Sequence, residues 1–544
     1  MVKNKVIRFK AHKEMKKVRK LLNDPYTIQK NTLLKIIEKN SKTLYGIEHN
    51  FLDIKEINEY QLNVPVNNYD SLAMYIEMAK EKPNGKILTE DPIIHWVLSS
   101  GTMTNQKVIP HTSESVFDWS LGSARNLYAY VNHIGKKCNV IDGKILNYVA
   151  PAEVGAIGDV PLGYISGVAG LRNRVLQYLM ALPENILSIS DYDQKLLTST
   201  KALLDKEISV ITGITSFSLN LLNYMRYEAP FILQEDPEYS SKIQPYLDDS
   251  GYLDLMKLWP KLQLYSSTGV AIEPFKDQIK HQFPNIYLGN FYTSSEGAFA
   301  FTMNHENQEY SDGMVLNVDL YFFEFLEVDS KNTPVTIDEV KLNIQYEIII
   351  TGTNGLYRYT IGDIVQFVSL DPPKIEVVGR KGNIVNLTSE KITEKEISSI
   401  VRTVNKKFNV ISTGYFFFGW IDEHTKVNHC LAIGFKNNES PDMEKYMEEI
   451  FQELIKRNPS YSIYANRNIN YPKYILIDKD TKKMVERAKT YSVGAVGQSK
   501  IKNIVSIKEF CTMINPSLVI YHNLEYDYEA FRNKHVEKDN LLTH

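Results

Sequence analysis

Three short stretches of this chain gather the residue types that handle phosphates, divalent cations and sugar hydroxyls. The first is "LSSGTMTNQKVIP", residues 98–110, which concentrates Ser99, Ser100, Gly101, Thr102 and Thr104 directly behind the apolar run "IIHWVL". Clustered hydroxyls and backbone N–H groups are what an anion site requires, and a glycine lets the backbone approach its ligand. The loop lacks the GxxxxGK[ST] spacing of a Walker phosphate loop, and Lys107 comes too late to replace that lysine. By its residues alone it reads either as an anion cradle or as a turn.

The second stretch is "NFYTSSEGAFA", residues 290–300, with Tyr292, Thr293, Ser294, Ser295 and Glu296 following an apolar run. An aromatic ring offers a stacking surface, and a single carboxylate suits magnesium, which completes its shell with phosphate oxygens and water. Ser294 with Glu296 reads equally as a helix cap. In the third stretch, "GTNGLYRYTIGDIVQFV", residues 352–368, Asp363 follows Gly362. There a carboxylate can take a ribose diol, or the pair can mark an ordinary turn. Arg358 reads as a phosphate ligand or as the partner of Asp363. His424, His429 and Cys430 in "DEHTKVNHC" lack a second cluster to complete a tetrahedral metal set and read as surface turn residues. Neither G-x-S-x-G nor H-E-x-x-H occurs, which removes the commonest hydrolase motifs.

The elements that must hold these stretches follow from hydrophobic periodicity. "NTLLKIIEKNSKTLYG", "YDSLAMYIEMAK" and "SESVFDWSLGSARNLYAYV" carry helical spacing, whereas "ILNYVA", "ISVITGI", "LQLYSS" and "IYLGNFY" are short strand-like runs alternating with helices. That alternation predicts an α/β fold with a largely parallel sheet. Between about 310 and 380 the segments become β-rich, which predicts an antiparallel sheet or small barrel packed on the α/β part. Beyond Arg380, "TEKEISSIVRTVNKKF", "VISTGYFFFGW", "CLAIGFK" and "MEKYMEEIFQELIKR" predict a compact α+β unit.

Taken together, "SSGTMTN", "YTSSE" and "YRYTIGD" resemble, in order and separation, the motifs SSGTSGG, Y-x-S-S-E and YR-x-GD of the Gretchen Hagen family of acyl-acid amido synthetases, within the adenylate-forming superfamily. "VPVNNYDSLAMYI", "VPLGYISG" and "VITGITSFSLNLL" are similar to further blocks of that family. The resemblance implies a firefly-luciferase-like fold, with residues 1–379 as a large N-terminal ATP- and acid-binding domain that contains a β-rich subdomain. Residues 380–544 would be a small α+β lid, hinged near 380–391. It implies ATP and Mg²⁺, acyl-AMP formation, and transfer of the acyl group to an amine, usually an amino acid.

Carried over residue by residue, Ser99, Ser100, Gly101 and Thr102 hold phosphates. Thr268 and Gly269 in "LYSSTGVAIEP", with Tyr292, Thr293, Ser294, Ser295 and Asp363, border adenine and ribose. Glu296 binds Mg²⁺. Arg380 lies near the pivot, and Lys391 approaches the nucleotide. "SVGAVGQSKIKNI" resembles the family's NQYK segment and points to Lys500 as the lysine that stabilises charge at phosphorus. Arg125 and Tyr128, on the helix that should border the acid, are the expected acid-pocket residues, with Phe117 as a further wall. Met103, Thr104 and Asn105 depart from the family's glycines. Two alternatives stand beside this expectation: transfer to coenzyme A or a carrier protein, and a non-catalytic nucleotide-binding relative.

Bulk properties fit and narrow the reading. With 544 residues and 43% hydrophobic side chains, two or more globular units are expected. The 62 basic and 65 acidic residues leave a net charge of −3, so no global field favours nucleic acid or membrane. Three scattered cysteines suit a reducing cytosol. The nine Lys or Arg among the first twenty residues read as a solvated helical entry. A soluble cytoplasmic monomer, acting on a small carboxylic acid and an amine, is the expectation.

Overall fold

The computed structural model describes residues 2–99, 107–149, 151–171, 178–189, 191–268, 272, 276–303, 313–328, 333–380, 384–385, 392–422, 427–458, 461–462, 465, 469–482, 484–485, 503–505, 507–525 and 527–536. Two compact units emerge, the first Met1–Val377 and the second beginning at Val378. No helix among the described residues is long and apolar enough to cross a membrane.

The first unit opens on helix Val2–Leu21. Its charge run is not solvated all round: Ala11, Met15 and Val18 are buried, at the 3- and 4-residue spacing that makes one helix face apolar. Helices Pro25–Lys39 and Tyr69–Glu81 are capped by Asp24 and Asn68, whose side chains accept the N–H groups of Thr27 and Ser71.

At the centre stands a ten-stranded sheet. Strands Lys144–Asn147, Ile208–Ile214, Leu264–Thr268 and Tyr287–Thr293 pair in parallel. Tyr287–Thr293 then pairs antiparallel with Ala298–Phe301, and the sheet continues through Met314–Leu316, Pro373–Arg380, Tyr359–Leu370, Gln345–Thr351 and Phe322–Glu327. The β-rich segment expected as a separate sheet or barrel is therefore the second half of the same sheet. Alternating side chains fix the faces of a strand but say nothing about which neighbour it pairs with.

"IIHWVL" lies elsewhere. Strand His95–Leu98 belongs to a four-stranded sheet, between Val108–His111 on one edge and Val160–Gly163 on the other. The hydroxyl-rich loop thus returns into an antiparallel strand before helix Ser113–Ile134 begins, instead of leading directly into the helix. That helix crosses the seam of the large sheet, and its Gly122 permits the approach: an added Cβ would lie 2.8 Å from the Ala298 carbonyl oxygen.

The second unit carries an antiparallel and parallel sheet ordered Ser412–Ile421, Val427–Phe435, Lys473–Ile477 and Val519–His522. Tyr415 and Phe417 face the helices Glu394–Phe408 and Met443–Arg457, while Phe416 and Phe418 face Ile507–Met513 and Tyr528–Val536. The run "YFFF" is apolar because both faces are covered. His429 and Cys430, expected in a surface turn, sit fully buried in strand Val427–Phe435, with the His429 ring stacked 5.6 Å from Phe417. His424 lies outside the described residues.

Arg358 is bound neither to Asp363 nor to an open anion site. Its guanidinium donates to both Glu324 oxygens, at 2.9 and 2.8 Å, and to the Gln61 and Val64 carbonyls at 2.8 and 2.7 Å, with Arg358 4% and Glu324 1% exposed. The pair welds the end of helix Ile57–Asn63 to the antiparallel half of the sheet. Removing one partner strands a buried charge, so Glu324→Ala should cost about 3–5 kcal/mol. The check is urea unfolding, read as a lower midpoint at unchanged slope.

Candidate active site

The strand Tyr287–Thr293 is where the large sheet changes from parallel to antiparallel pairing, and its carboxyl end opens the second motif. Thr268, the last residue of the neighbouring parallel strand, shares a 2.9 Å hydrogen bond between its hydroxyl and that of Thr293. In α/β sheets the carboxyl ends of parallel strands, beside a change of strand order, form the usual ligand crevice. Gly269 lies outside the described residues.

Asp363 comes from the antiparallel half. Opposite strand Gln345–Thr351 the register jumps from Ile364 with Glu347 to Thr360 with Ile349, so residues 361–363 bulge opposite a single residue, Ile348. Gly362, at φ +84°, supplies the left-handed conformation within the bulge. The carboxylate so displayed accepts a 2.7 Å hydrogen bond from the Tyr292 hydroxyl. The second and third motifs are thereby brought together, and Asp363 stands inside a long strand rather than in a turn or at a strand start.

Glu296 occupies the turn between Tyr287–Thr293 and Ala298–Phe301. A strand follows it, so the helix-cap reading of Ser294 fails, although the Ser294 Oγ does accept the Glu296 N–H at 3.1 Å. The turn is pinned from three sides. Asn354 donates to the Glu296 carbonyl at 3.0 Å, the Trp119 indole N–H to the Ser294 carbonyl at 3.0 Å, and the His111 Nε2–H to the Ser295 carbonyl at 2.9 Å. Glu296 is 5% exposed, and its carboxylate has no hydrogen-bond or ion-pair partner among the described residues.

The first motif meets this turn at its stem: the Ser295 hydroxyl donates to the Leu98 carbonyl at 3.0 Å. Ser99 closes the neck of the loop, its backbone N–H donating to the Lys107 carbonyl at 2.9 Å and its Oγ accepting the Lys107 N–H at 3.0 Å. Lys107 extends its ammonium over the rings of Tyr69 and Tyr359, 5.9 and 5.7 Å away, with no carboxylate partner among the described residues. Ser100, Gly101, Thr102 and the atypical Met103, Thr104 and Asn105 lie outside the described residues, as do Lys391 and Lys500. Arg380 ends strand Pro373–Arg380.

One expected acid-pocket residue, Arg125, is already engaged. Arg125 is 1% exposed and donates to both Asp319 oxygens at 2.7 and 2.9 Å, to Glu14 at 2.9 Å and to Asn317 at 2.9 Å. Its guanidinium cannot also receive a substrate carboxylate; it ties the first helix to helix Ser113–Ile134. Burial alone would raise Asp319, yet Arg125 and Lys17 hold it down to about 2. Tyr128 is half-buried on the side toward Glu14, and Phe117 is exposed.

The residues that sequence reasoning missed are His111, Trp119, Asp118, Thr353 and Asn354. The Asp118 carboxylate accepts the Thr353 hydroxyl at 2.7 Å, next to the Asn354 that holds Glu296. A histidine two residues ahead of a helix and a helical Asp–Trp pair carry no signal of their own; only the fold aims them at the turn.

Burial pushes the His111 imidazole down to about 4, with the Ser295 carbonyl opposing, and raises the Asp118 carboxyl to about 7 against the Thr353 hydroxyl. Between pH 4 and 6.5 the unfolded chain binds the His111 proton that the folded one lacks, so His111 removes stability on acidification. Between pH 3.8 and 7 the folded chain keeps the Asp118 proton that the unfolded one releases, so Asp118 removes stability as pH rises. The opposed slopes mask each other in the parent protein. Relative to it, Asp118→Asn should gain up to about 4 kcal/mol from pH 4 to pH 8, and His111→Asn should gain as pH falls below 6.5. Urea unfolding across that range decides, and parallel curves would contradict both assignments.

Comparison with known proteins gives this geometry a family. Residues 14–232 match the GH3 family N-terminal domain, and residues 314–380 match the GH3 family central domain. Indole-3-acetic acid-amido synthetase GH3.10 of Arabidopsis thaliana is 23% identical, over 81% of this chain and 86% of its own length. Jasmonoyl–L-amino acid synthetase JAR4 of Nicotiana attenuata is 22% identical, over 75% and 78%. The solved GH3.15 acyl acid amido synthetase in complex with 2,4-DB shares the fold, with a TM-score of 0.76 over 95% of this chain and 98% of that one at 19% identity. The two domain matches together span more than half of the sequence, and the chain belongs to the GH3 family.

Proposed function

We propose that this chain is an ATP-dependent acyl-acid amido synthetase. A substrate carboxylate oxygen attacks the α-phosphorus of ATP, forming the acyl–phosphate bond of acyl-AMP as the bond to pyrophosphate breaks. An amine, such as that of an amino acid, then attacks the acyl carbon, and an amide, AMP and a proton leave. The observation that carries the reading is the Tyr292–Asp363 hydrogen bond, which unites the second and third motifs at one strand end, together with a Glu296 carboxylate that has no partner among the described residues. The kinship with plant amido synthetases named for indole-3-acetic acid and jasmonate supports the amine as acceptor.

Magnesium favours oxygen ligands and needs only one or two from the protein, and the Glu296 carboxylate meets that need. Bound there, the ion would supply charge neutralisation at the phosphate oxygens. The chain does the rest by positioning. Asp363, which as a carboxylate can accept more than the one bond from Tyr292, takes the ribose hydroxyls. Tyr292 flanks the adenine, and Thr268, Gly269, Thr293, Ser294 and Ser295 border the nucleotide. Ser99, Ser100, Gly101 and Thr102 hold the outer phosphates, and Lys107 adds a cation at the neck of their loop. In this proposal residues 380–544 act as a lid hinged near Arg380, with Lys391 approaching the nucleotide and Lys500 neutralising charge at phosphorus. Free cysteines at Cys138, Cys430 and Cys511 support the cytosol as its setting.

Incubation with ATP, Mg²⁺ and a panel of aryl and alkyl acids should release AMP, hydroxylamine should trap the acyl-adenylate, and amines should outcompete thiols as acceptors. Glu296→Gln and Lys500→Ala should each lower pyrophosphate exchange by about 10²- to 10³-fold, whereas Lys479→Ala, on an exposed turn, should change nothing. Tight nucleotide binding without AMP release from any acid would sink the proposal in favour of a non-catalytic relative.

A further inference from the structure

Lys195 is fully buried, with 0% exposure, on helix Tyr192–Leu204. Its ammonium makes one long hydrogen bond, 3.4 Å to the Val149 carbonyl, and lies 5.0 Å from the centre of the Tyr148 ring. It has no ion-pair partner among the described residues. Glu184, the acidic side chain that acts on it, is engaged with the Ala152 N–H at 3.0 Å and forms no ion pair with it. Two of the three ammonium donors therefore have no acceptor among the described residues. Buried charges are ordinarily paired, because an unpaired one forfeits its hydration with nothing in return. Burial accordingly lowers the Lys195 ammonium to about 8.

The location gives that unmet charge a meaning. The parallel register sets Asn147 beside Thr212, and Ile214 beside Thr268. Val149, two residues past Asn147, is therefore level with Ile214 and with Thr268, at the carboxyl ends of the strands. The chain still hugs its neighbour there: a Cβ built on Gly213 would lie 3.8 Å from Val149 Cγ1. Two strand spacings separate Val149 from Thr268, about 10 Å. The Lys195 ammonium, bonded to the Val149 carbonyl, thus lies level with the carboxyl ends of these strands, displaced from the Thr268 hydroxyl by roughly the length of a small organic molecule.

We infer that Lys195 receives a second carboxylate, remote from the reacting carbon, carried by a substrate of this site. The carboxylate belongs either to the amino-acid acceptor or to the far end of a dicarboxylic acid. The inference rests on the amido synthetase reading for the identity of the substrates, and it assigns the buried cation as the group that measures their length. An ammonium on a flexible stem, held dry, meets a carboxylate with a charge-assisted bond and gives little to a neutral amide.

The test uses the full chain and needs no turnover. Thermal unfolding is followed in MgATP with each of the twenty L-amino acids, with their α-amides, and with succinate, glutarate and adipate. In the parent protein at least one carboxylate should raise Tm while its amide does not. Lys195→Met should abolish that shift, and Lys195→Arg should keep part of it. Without ligand, Lys195→Met should be at least as stable as the parent, since it replaces an unpaired buried charge by an apolar chain of similar length. A responding amino acid identifies the acceptor as the source, and a responding dicarboxylate identifies the acid. In turnover, Lys195→Met should raise KM for that compound about 10- to 100-fold while kcat changes little. An unchanged shift in Lys195→Met, or no shift by any probe in either protein, overturns the inference. Failure of AMP release would count against the amido synthetase reading, with the Tm comparison still deciding Lys195.

Discussion

The strand Tyr287–Thr293 is bonded in parallel along one edge and antiparallel along the other, and the rest of the site depends on that double pairing. A parallel neighbour brings the end of Leu264–Thr268 level with it, so two threonine hydroxyls meet at the same height. An antiparallel neighbour forces the chain to reverse within a few residues, so Ser294, Ser295 and Glu296 are confined to a turn whose ends are both fixed in the sheet. A sheet of one kind alone could provide either the crevice or the tight return. The seam provides both in consecutive residues.

Helix Ser113–Ile134 turns that seam into a rigid platform. One of its faces touches the turn, through Trp119 on the Ser294 carbonyl and through Asp118 on the 353–354 turn that in turn holds Glu296. Two turns beyond Asp118, Arg125 bolts the helix to the first one, with Glu14 and Asp319. The division of labour explains why Arg125 is unsuited to a substrate: any displacement of its carboxylates would loosen the helix that aligns the turn. It also explains a glycine in mid-helix, which costs helix stability and is tolerated at Gly122 because a side chain there would collide with Ala298.

Much of this was legible in the sequence, but only of certain kinds. Period and punctuation gave the helices and strands nearly everywhere, because burial of one face leaves its mark every 3.6 or 2 residues. Hydroxyls, carboxylates and glycines gave the three motifs, because phosphate and cation chemistry restricts the residue types that can serve. Partnership was not legible. "IIHWVL" reads like any sheet strand, yet it pairs outside the large sheet; "IQYEIIIT" and its neighbours read like a separate barrel, yet they complete it. Arg125, Arg358 and His429 look available as residue types and are consumed by burial, Arg358 beside Glu324 and His429 beside Phe417. Pairing and burial depend on contacts between positions that lie apart in the sequence, 34 residues for Arg358 with Glu324 and 194 for Arg125 with Asp319, and one sequence carries no record of them. The Asp363 bulge was half-visible: the Gly362–Asp363 pair read as a turn signal, but not as a bulge inside a long strand.

Charge balance sets what such a platform can hold. Glu296 and Asp363 are two carboxylates drawn to one strand end, and the nucleotide proposed for it adds several phosphate charges. In a partly desolvated crevice, like charges repel more strongly than they do in water. Cations must therefore be part of the arrangement. The described residues supply Lys107, whose ammonium rests against Tyr69 and Tyr359 without a carboxylate to claim it. Glu296 has no cation beside it among the described residues. A hard divalent cation, which takes oxygen ligands, would suit such a carboxylate. With a cation there, Glu296 would be engaged as its ligand, and proton removal from the amine of the proposed reaction would fall to another group.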